Sequence, residues 1–133
     1  MIGLVVATHG NLGSELLLSA QMIIGPVINA RPVSITHDSS MEAIRDAIAE
    51  AVTEVGQDGH GVIIVTDMFG GTPANVSMTF LEPQSVEVIT GVNLPMILKF
   101  FNSQESLGLD ELAGILKSYG QQSIALASEY LQR

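Results

Sequence analysis

Apolar, β-branched runs at residues 3–8, 33–36, 62–66 and 86–90 are each followed by a stretch with helical periodicity. Strand–helix alternation at this spacing commits a chain to an α/β domain with a parallel sheet, because parallel strands need a crossover element between them. The first run, Ile2 to Ala7, carries no charge and reads as a strand buried on both faces. Leu12, Leu16, Ala20, Ile23 and Ile24 form a helical face that stops at Gly25-Pro26. Met41, Ile44, Ile48, Val52 and Val55 form a second, with Ser39 and Glu42 in capping-box register. Shorter helices are predicted at 73–81 and 95–101, each with proline at its first position, and 110–132 reads helical with a break at Gly120. Right-handed crossovers leave few topologies. Four parallel strands with helices on both faces give the order 2-1-3-4, a flavodoxin-like doubly wound sheet with its switch point between strands 1 and 3.

A chain of 133 residues fits one domain, residues 1–133, with no linker, repeat or low-complexity stretch. It has no cysteine, which removes thiol nucleophiles, Cys-based zinc sites and redox switching. The formal charge of −9 disfavours nucleic acid and anionic membrane surfaces and favours a basic protein partner. No signal-like N-terminal segment is visible, and no apolar run approaches the ~18–20 residues of a membrane span, so a cytoplasmic location is expected. The basic residues are Arg31, Arg45, Lys99, Lys117 and Arg133. None lies in the first thirty residues or between Asp46 and Leu98, so a phosphate handled near the end of the first strand depends on other groups.

His9 sits at that strand end. In open parallel sheets ligands are handled at the carboxyl ends of the strands, so the position suits chemistry, although a half-buried loop histidine bonded to a carbonyl fits equally well. Strand 3 leads into Asp67, and neighbouring strands lie about 4.8 Å apart, so this carboxylate falls beside this imidazole. A carboxylate accepting one ring N–H fixes the tautomer, frees the other nitrogen's lone pair and stabilises charge that develops on the ring. That is the logic of histidine acting as nucleophile. Taken alone, Asp67 is as readily a turn residue in Asp-Met-Phe-Gly-Gly.

After Asp67 come Gly70, Gly71, Thr72 and Pro73, where the glycines allow close backbone approach, Thr72 can cap the next helix and Pro73 pre-sets its first turn. This helix start, with those near Gly10-Asn11 and Asn93-Leu94-Pro95, offers N–H groups to one crevice that can cradle a phosphoryl group without a lysine. Thr8 bonds either to the phosphoryl group or to backbone. The Walker loop, the Gly-x-Ser-x-Gly elbow and His-Glu-x-x-His are all missing. His37 and His60 read as solvated loop residues rather than metal ligands, and no metal or cofactor is expected.

With those residues in place, the chain resembles the IIA component of the mannose-type (mannose–fructose–sorbose) phosphoenolpyruvate-dependent sugar phosphotransferase system. The resemblance runs from Thr8-His9-Gly10 through Asp67-Met68-Phe69-Gly70-Gly71-Thr72-Pro73-Ala74-Asn75 to Gly91-Val92-Asn93-Leu94-Pro95-Met96. It implies a phosphocarrier that accepts a phosphoryl group from phosphohistidine on HPr and passes it to a IIB protein. His9 matches the phosphorylated histidine, with Nε2 as the family's reacting atom. Asp67 matches the orienting carboxylate, and Thr72 falls where members carry Ser or Thr against the phosphoryl group. The family is usually homodimeric. Members often continue through an Ala/Pro-rich linker into IIB, whereas this sequence stops at Arg133, so a separate IIB protein is expected. Members also exchange a C-terminal edge strand between subunits, whereas 120–133 here reads helical, with Ile124, Ala127 and Leu131 on one face. A C-terminal edge element therefore stays open as an addition to the four-stranded sheet. Three other functions compete: a regulatory phosphohistidine module, a dihydroxyacetone-kinase-type phosphotransfer subunit, and a small-ligand binder in which His9 contacts a bound phosphate.

Overall fold

The computed structural model describes residues 1–103 and 107–131. Strands β1 (Gly3–His9), β2 (Ala30–Ile35), β3 (Val62–Thr66) and β4 (Val86–Thr90) form one parallel sheet in the order β2-β1-β3-β4. Between and after them lie helices α1 (Leu12–Ile24), α2 (Met41–Val55), α3 (Thr72–Met78), α4 (Leu94–Asn102), α5 (Leu109–Gln122) and α6 (Ala127–Tyr130). The doubly wound order expected from the alternation is the one observed.

Two apolar layers explain why the sheet is sandwiched. Successive strand residues point to opposite faces. Leu4, Val6, Ile63 and Val65 pack with Leu17 and Ala20 of α1 and with Met96, Ile97, Phe100, Leu112 and Leu116 of α4 and α5. Val5, Ala7, Val62 and Ile64 pack on the other side with Ile44, Ile48, Ala51 and Val55 of α2 and Val76 of α3. Burying each such aliphatic side chain contributes about 1.5–3 kcal/mol, so the central pair β1 and β3 is the most strongly held part of the sheet.

Several local expectations are corrected. Strand β2 begins at Ala30 rather than 33, because it lies at an edge, where Pro32 can pair with Val6 without a full ladder. The buried side of α1 is Gly13, Leu17 and Ala20, whereas Leu12, Ile23 and Ile24 of the anticipated face are exposed. Ser40, not Ser39, caps α2 by accepting from Ala43 N at 3.0 Å, and Met41 is likewise exposed. Helices α3 and α4 start one residue early, so Pro73 and Pro95 occupy second helical positions, where an N–H is equally dispensable. Thr72 is therefore the first helical residue of α3 and not its cap. Helix α3 ends at Met78 rather than 81.

Gly120 does not break α5, which runs on to Gln122. A β-carbon there would come within 2.8 Å of Met96 Cε, and the Gly120 carbonyl accepts from Asn93 Nδ2 at 3.0 Å, so this glycine serves a close approach of α5 to α4. The C-terminal region is helical at 127–130 and supplies no strand among the described residues, while Gln132 and Arg133 lie outside them.

Gly13 sets how closely α1 lies on β1, since a β-carbon would meet the Val6 carbonyl oxygen at 2.7 Å, a backbone atom that cannot swing aside. Gly13→Ala should lower stability in urea unfolding. Overpacking costs about 1–3 kcal/mol and outweighs the helix-propensity gain of about 1 kcal/mol. An unchanged or raised midpoint would contradict this packing.

Candidate active site

The adjacent carboxyl ends of β1 and β3 bring the first charged groups together. The β1–β3 register closes at Ala7 with Thr66, so His9 and Asp67 emerge side by side at the carboxyl ends of the two central strands. Asp67 Oδ2 accepts two hydrogen bonds from His9, one from the backbone N–H at 3.0 Å and one from ring Nδ1 at 2.8 Å. The two bonds fix both the position of the histidine backbone and the rotation of its ring. The imidazole is 51% exposed and the carboxylate only 14%.

Burial by itself pushes the Asp67 carboxyl up. The hydrogen bonds from the His9 side chain and backbone, attraction to the ring's charge and a bond from its own backbone N–H together hold it below the ordinary 3.8. The group is thus ionised at neutral pH and can only accept hydrogen bonds. Nδ1 must then carry the proton, which leaves the lone pair of the neutral ring on Nε2. The free nitrogen belongs to the exposed side chain, and the bonded one faces the protein.

Glycines shape the space around this ring. Gly10 and Gly70 have φ of +58° and +88°, the left-handed region that suits glycine, and so turn the chain sharply beside His9 and after Asp67. A β-carbon on Gly71 would lie 2.9 Å from His9 Cε1 and 3.4 Å from Nε2, so only glycine lets the start of α3 come this near the ring. Thr72 lines a cavity of about 580 Å³ together with His9, Gly10, Ile35, Thr36, His37, Ser39, Met41 and Ile44.

The other expected site residues are engaged elsewhere. Thr8 is buried, its hydroxyl accepts from Gly13 N at 2.8 Å, and it anchors the start of α1 rather than facing the cavity. Asn93 caps α4 by accepting from Met96 N at 3.0 Å and donates to the Gly120 carbonyl. It lines a separate cavity of about 650 Å³ between β4 and α5, the larger of the two, which contains no part of the His9–Asp67 pair. Of the three helix starts anticipated around one crevice, those of α1 and α3 flank His9, whereas that of α4 is closed by its own cap. His37, expected in a solvated loop, is exposed as expected and also lines the His9 cavity. The signal for this lay in the strand order, since β2 neighbours β1 and His9 pairs in register with Ile35, two residues before His37.

Comparison with known proteins bears on the whole chain. The family described as EIIA-man, PTS system fructose IIA component, matches residues 3–116. The fructose-specific EIIA component of Bacillus subtilis (strain 168) is 31% identical over all of this chain and 91% of its own length. Among solved structures, the phosphotransferase system component EIIA from Streptococcus agalactiae superposes with a TM-score of 0.87 at 25% identity, covering 97% of this chain and 99% of that one. The mannose/sorbose specific IIA subunit from Enterococcus faecalis superposes with a TM-score of 0.82 at 31% identity, covering 93% and 92%.

Nitrogen-15 NMR of the ring should find neutral His9 as the Nδ1–H tautomer, and Asp67→Asn should shift the population toward Nε2–H. A wild-type ring protonated on Nε2 would contradict the pairing. Because the Asp67 value is depressed in the folded state, its contribution to stability is complete above the ordinary 3.8 and is lost as pH falls through the lower folded value. The stability gap between wild type and Asp67→Asn, measured by urea unfolding, should therefore narrow in that acid window.

Proposed function

Since this chain belongs to the EIIA-man family of phosphotransferase-system IIA components, we propose that it is a cytoplasmic phosphocarrier that accepts a phosphoryl group from phosphohistidine on HPr at His9 Nε2 and delivers it to a IIB protein. The observation that carries this reading is the 2.8 Å bond between Nδ1 and Asp67, which leaves Nε2 as the exposed nucleophile.

The chemistry balances without a proton transfer. The Nε2 lone pair of His9 forms the new N–P bond as the donor's N–P bond breaks, and the bonding pair returns to the donor nitrogen. His9 becomes a phospho-imidazolium that keeps its Nδ1 proton, and the ionised Asp67 stabilises the positive charge. The donor, leaving as neutral imidazole, loses the same charge that His9 gains, so the exchange is close to isoenergetic and reversible. The protein contributes position and electrostatics. Backbone around Gly10, Gly70 and Gly71, with the Thr72 hydroxyl, is proposed to receive the phosphoryl oxygens. Thr8 supports this arrangement from beneath by anchoring the start of α1, and Asn93 lies outside it.

Surface properties are consistent with protein partners. Phe69, two residues past Asp67, is 74% exposed, and its neighbour Met68 is exposed as well. The net charge of −9 suits a basic donor and speeds encounter at low salt. Among the described residues no helix is long and apolar enough to cross a membrane. We further propose a homodimer, because Leu18, Met22 and Ile23 on α1, Ile28 beyond it, and Ile124, Leu126 and Leu131 near the C-terminus leave much apolar surface exposed.

Incubation with enzyme I, HPr and phosphoenolpyruvate should give an acid-labile, base-stable phosphoprotein, and His9→Ala should take no label. Undiminished labelling of His9→Ala would remove His9 from the reaction. Gly71→Ala, whose backbone tolerates a side chain, should displace the ring and slow transfer about 100-fold; an unchanged rate would show that the close approach is immaterial. Sedimentation should report twice the chain mass, and a monomer at all concentrations would refute the dimer.

A further inference from the structure

We propose that His37 is a second phosphoryl-binding side chain, whose imidazolium form hydrogen-bonds an oxygen of the phosphoryl group while it is on or approaching His9. This inference rests on the phosphocarrier reading of the site. It starts from a charge deficit. A phosphoryl group in transfer carries negative charge on its oxygens, and proteins ordinarily meet it with lysine, arginine or metal. None of these basic side chains reaches the His9 cavity among the described residues. Arg31 is paired with Glu54, Lys99 lies 5.0 Å over the Tyr119 ring, Lys117 lines the cavity between β4 and α5, and Arg45 stands outside the lining of the His9 cavity. Besides His9 itself, His37 is the one lining residue able to carry positive charge.

Topology places His37 within reach. His9 is paired in register with Ile35, and Gly10 N donates to the Ile35 carbonyl at 2.8 Å, so the ends of β1 and β2 are locked together. His37 follows Ile35 by two residues, which span at most about 7 Å, and it lines the same cavity as His9. The loop has a defined shape: Ser39 Oγ accepts from Thr36 N at 3.2 Å, Ser39 N donates to the Thr36 carbonyl at 3.2 Å, and Ser40 caps α2. His37 thus projects from an ordered turn.

Imidazole changes charge near neutral pH, so the contribution should be pH-dependent. The titratable groups around it are His9 across the cavity, Asp67 behind His9, Asp38 next in the chain, and Glu42 and Arg45 in the first turns of α2, where only Met41 and Ile44 line the cavity. His37 donates a hydrogen bond and exchanges no bond with phosphorus, so the balance of the transfer step is unaltered.

The test is single-turnover transfer from phospho-HPr to wild type, His37→Gln and His37→Arg from pH 6 to 8.5 (roughly the range over which imidazole loses its charge). The ratio of wild type to His37→Gln at each pH reads the contribution of His37. That ratio should be about tenfold at the acid end, the effect of one charge-assisted hydrogen bond of about 1.4 kcal/mol, and fall toward one at the alkaline end. His37→Arg should restore fast transfer and hold it across the range. A ratio that does not vary with pH, or an arginine variant no faster than the glutamine one, would overturn the proposal. If wild type takes no label on His9 at any pH, the phosphocarrier reading itself fails, a result distinguishable from normal labelling with a flat ratio.

Discussion

Strands β1 and β3 are covered by helices on both faces, and this double burial governs where chemistry can occur. Every residue of β3 and all of β1 before His9 are buried, and neither strand can carry a charge along its length. The first ionisable groups appear where the two strands leave the sheet. Because β1 and β3 are neighbours, those groups are His9 and Asp67, and their proximity follows from the strand order as much as from either residue. The same constraint explains why the pair is asymmetric, with a shielded carboxylate beneath an exposed ring.

The surrounding glycines and hydroxyls turn that pair into a site. Gly71 brings the start of α3 against the imidazole, and Gly10 reverses the chain beside it and hydrogen-bonds to the end of β2. Thr8 satisfies a helix N–H that would otherwise be unpaired in the core, which holds α1 at the height where its start meets the cavity. Membership of the EIIA-man family is consistent with each of these features. Phe69, two residues beyond Asp67, is exposed as well.

Most of the architecture was legible because hydrophobic periodicity is a strong signal over four strand–helix units. The strand order and both core layers follow from it. Details decided by one hydrogen bond were not legible. Ser39 and Ser40 both have capping chemistry, and the choice between them depends on Thr36 taking Ser39 into the preceding turn. Gly120 looks like a helix break until Met96 is seen against it, and Asn93 looks like an anion ligand until its amide is found bound to the Gly120 carbonyl. The exposed side of α1 also carries large apolar residues, Leu18, Met22 and Ile23, so its periodicity located Leu16 and Ala20 on the core side but not Leu17. His37 is legible as a solvated loop residue but not as a neighbour of His9: a residue in a polar turn has no periodic signal, and that placement emerges only when β2 is set beside β1.

The central claim is that Asp67 dictates which nitrogen of which histidine accepts the phosphoryl group. The direct measurement is proton-detected nitrogen-15 and phosphorus-31 NMR on the protein phosphorylated through HPr. The account predicts a single N–P linkage, on Nε2 of His9, with Nδ1 still protonated. A phosphoryl group on Nδ1 of His9, or on His37 or His60, would contradict it.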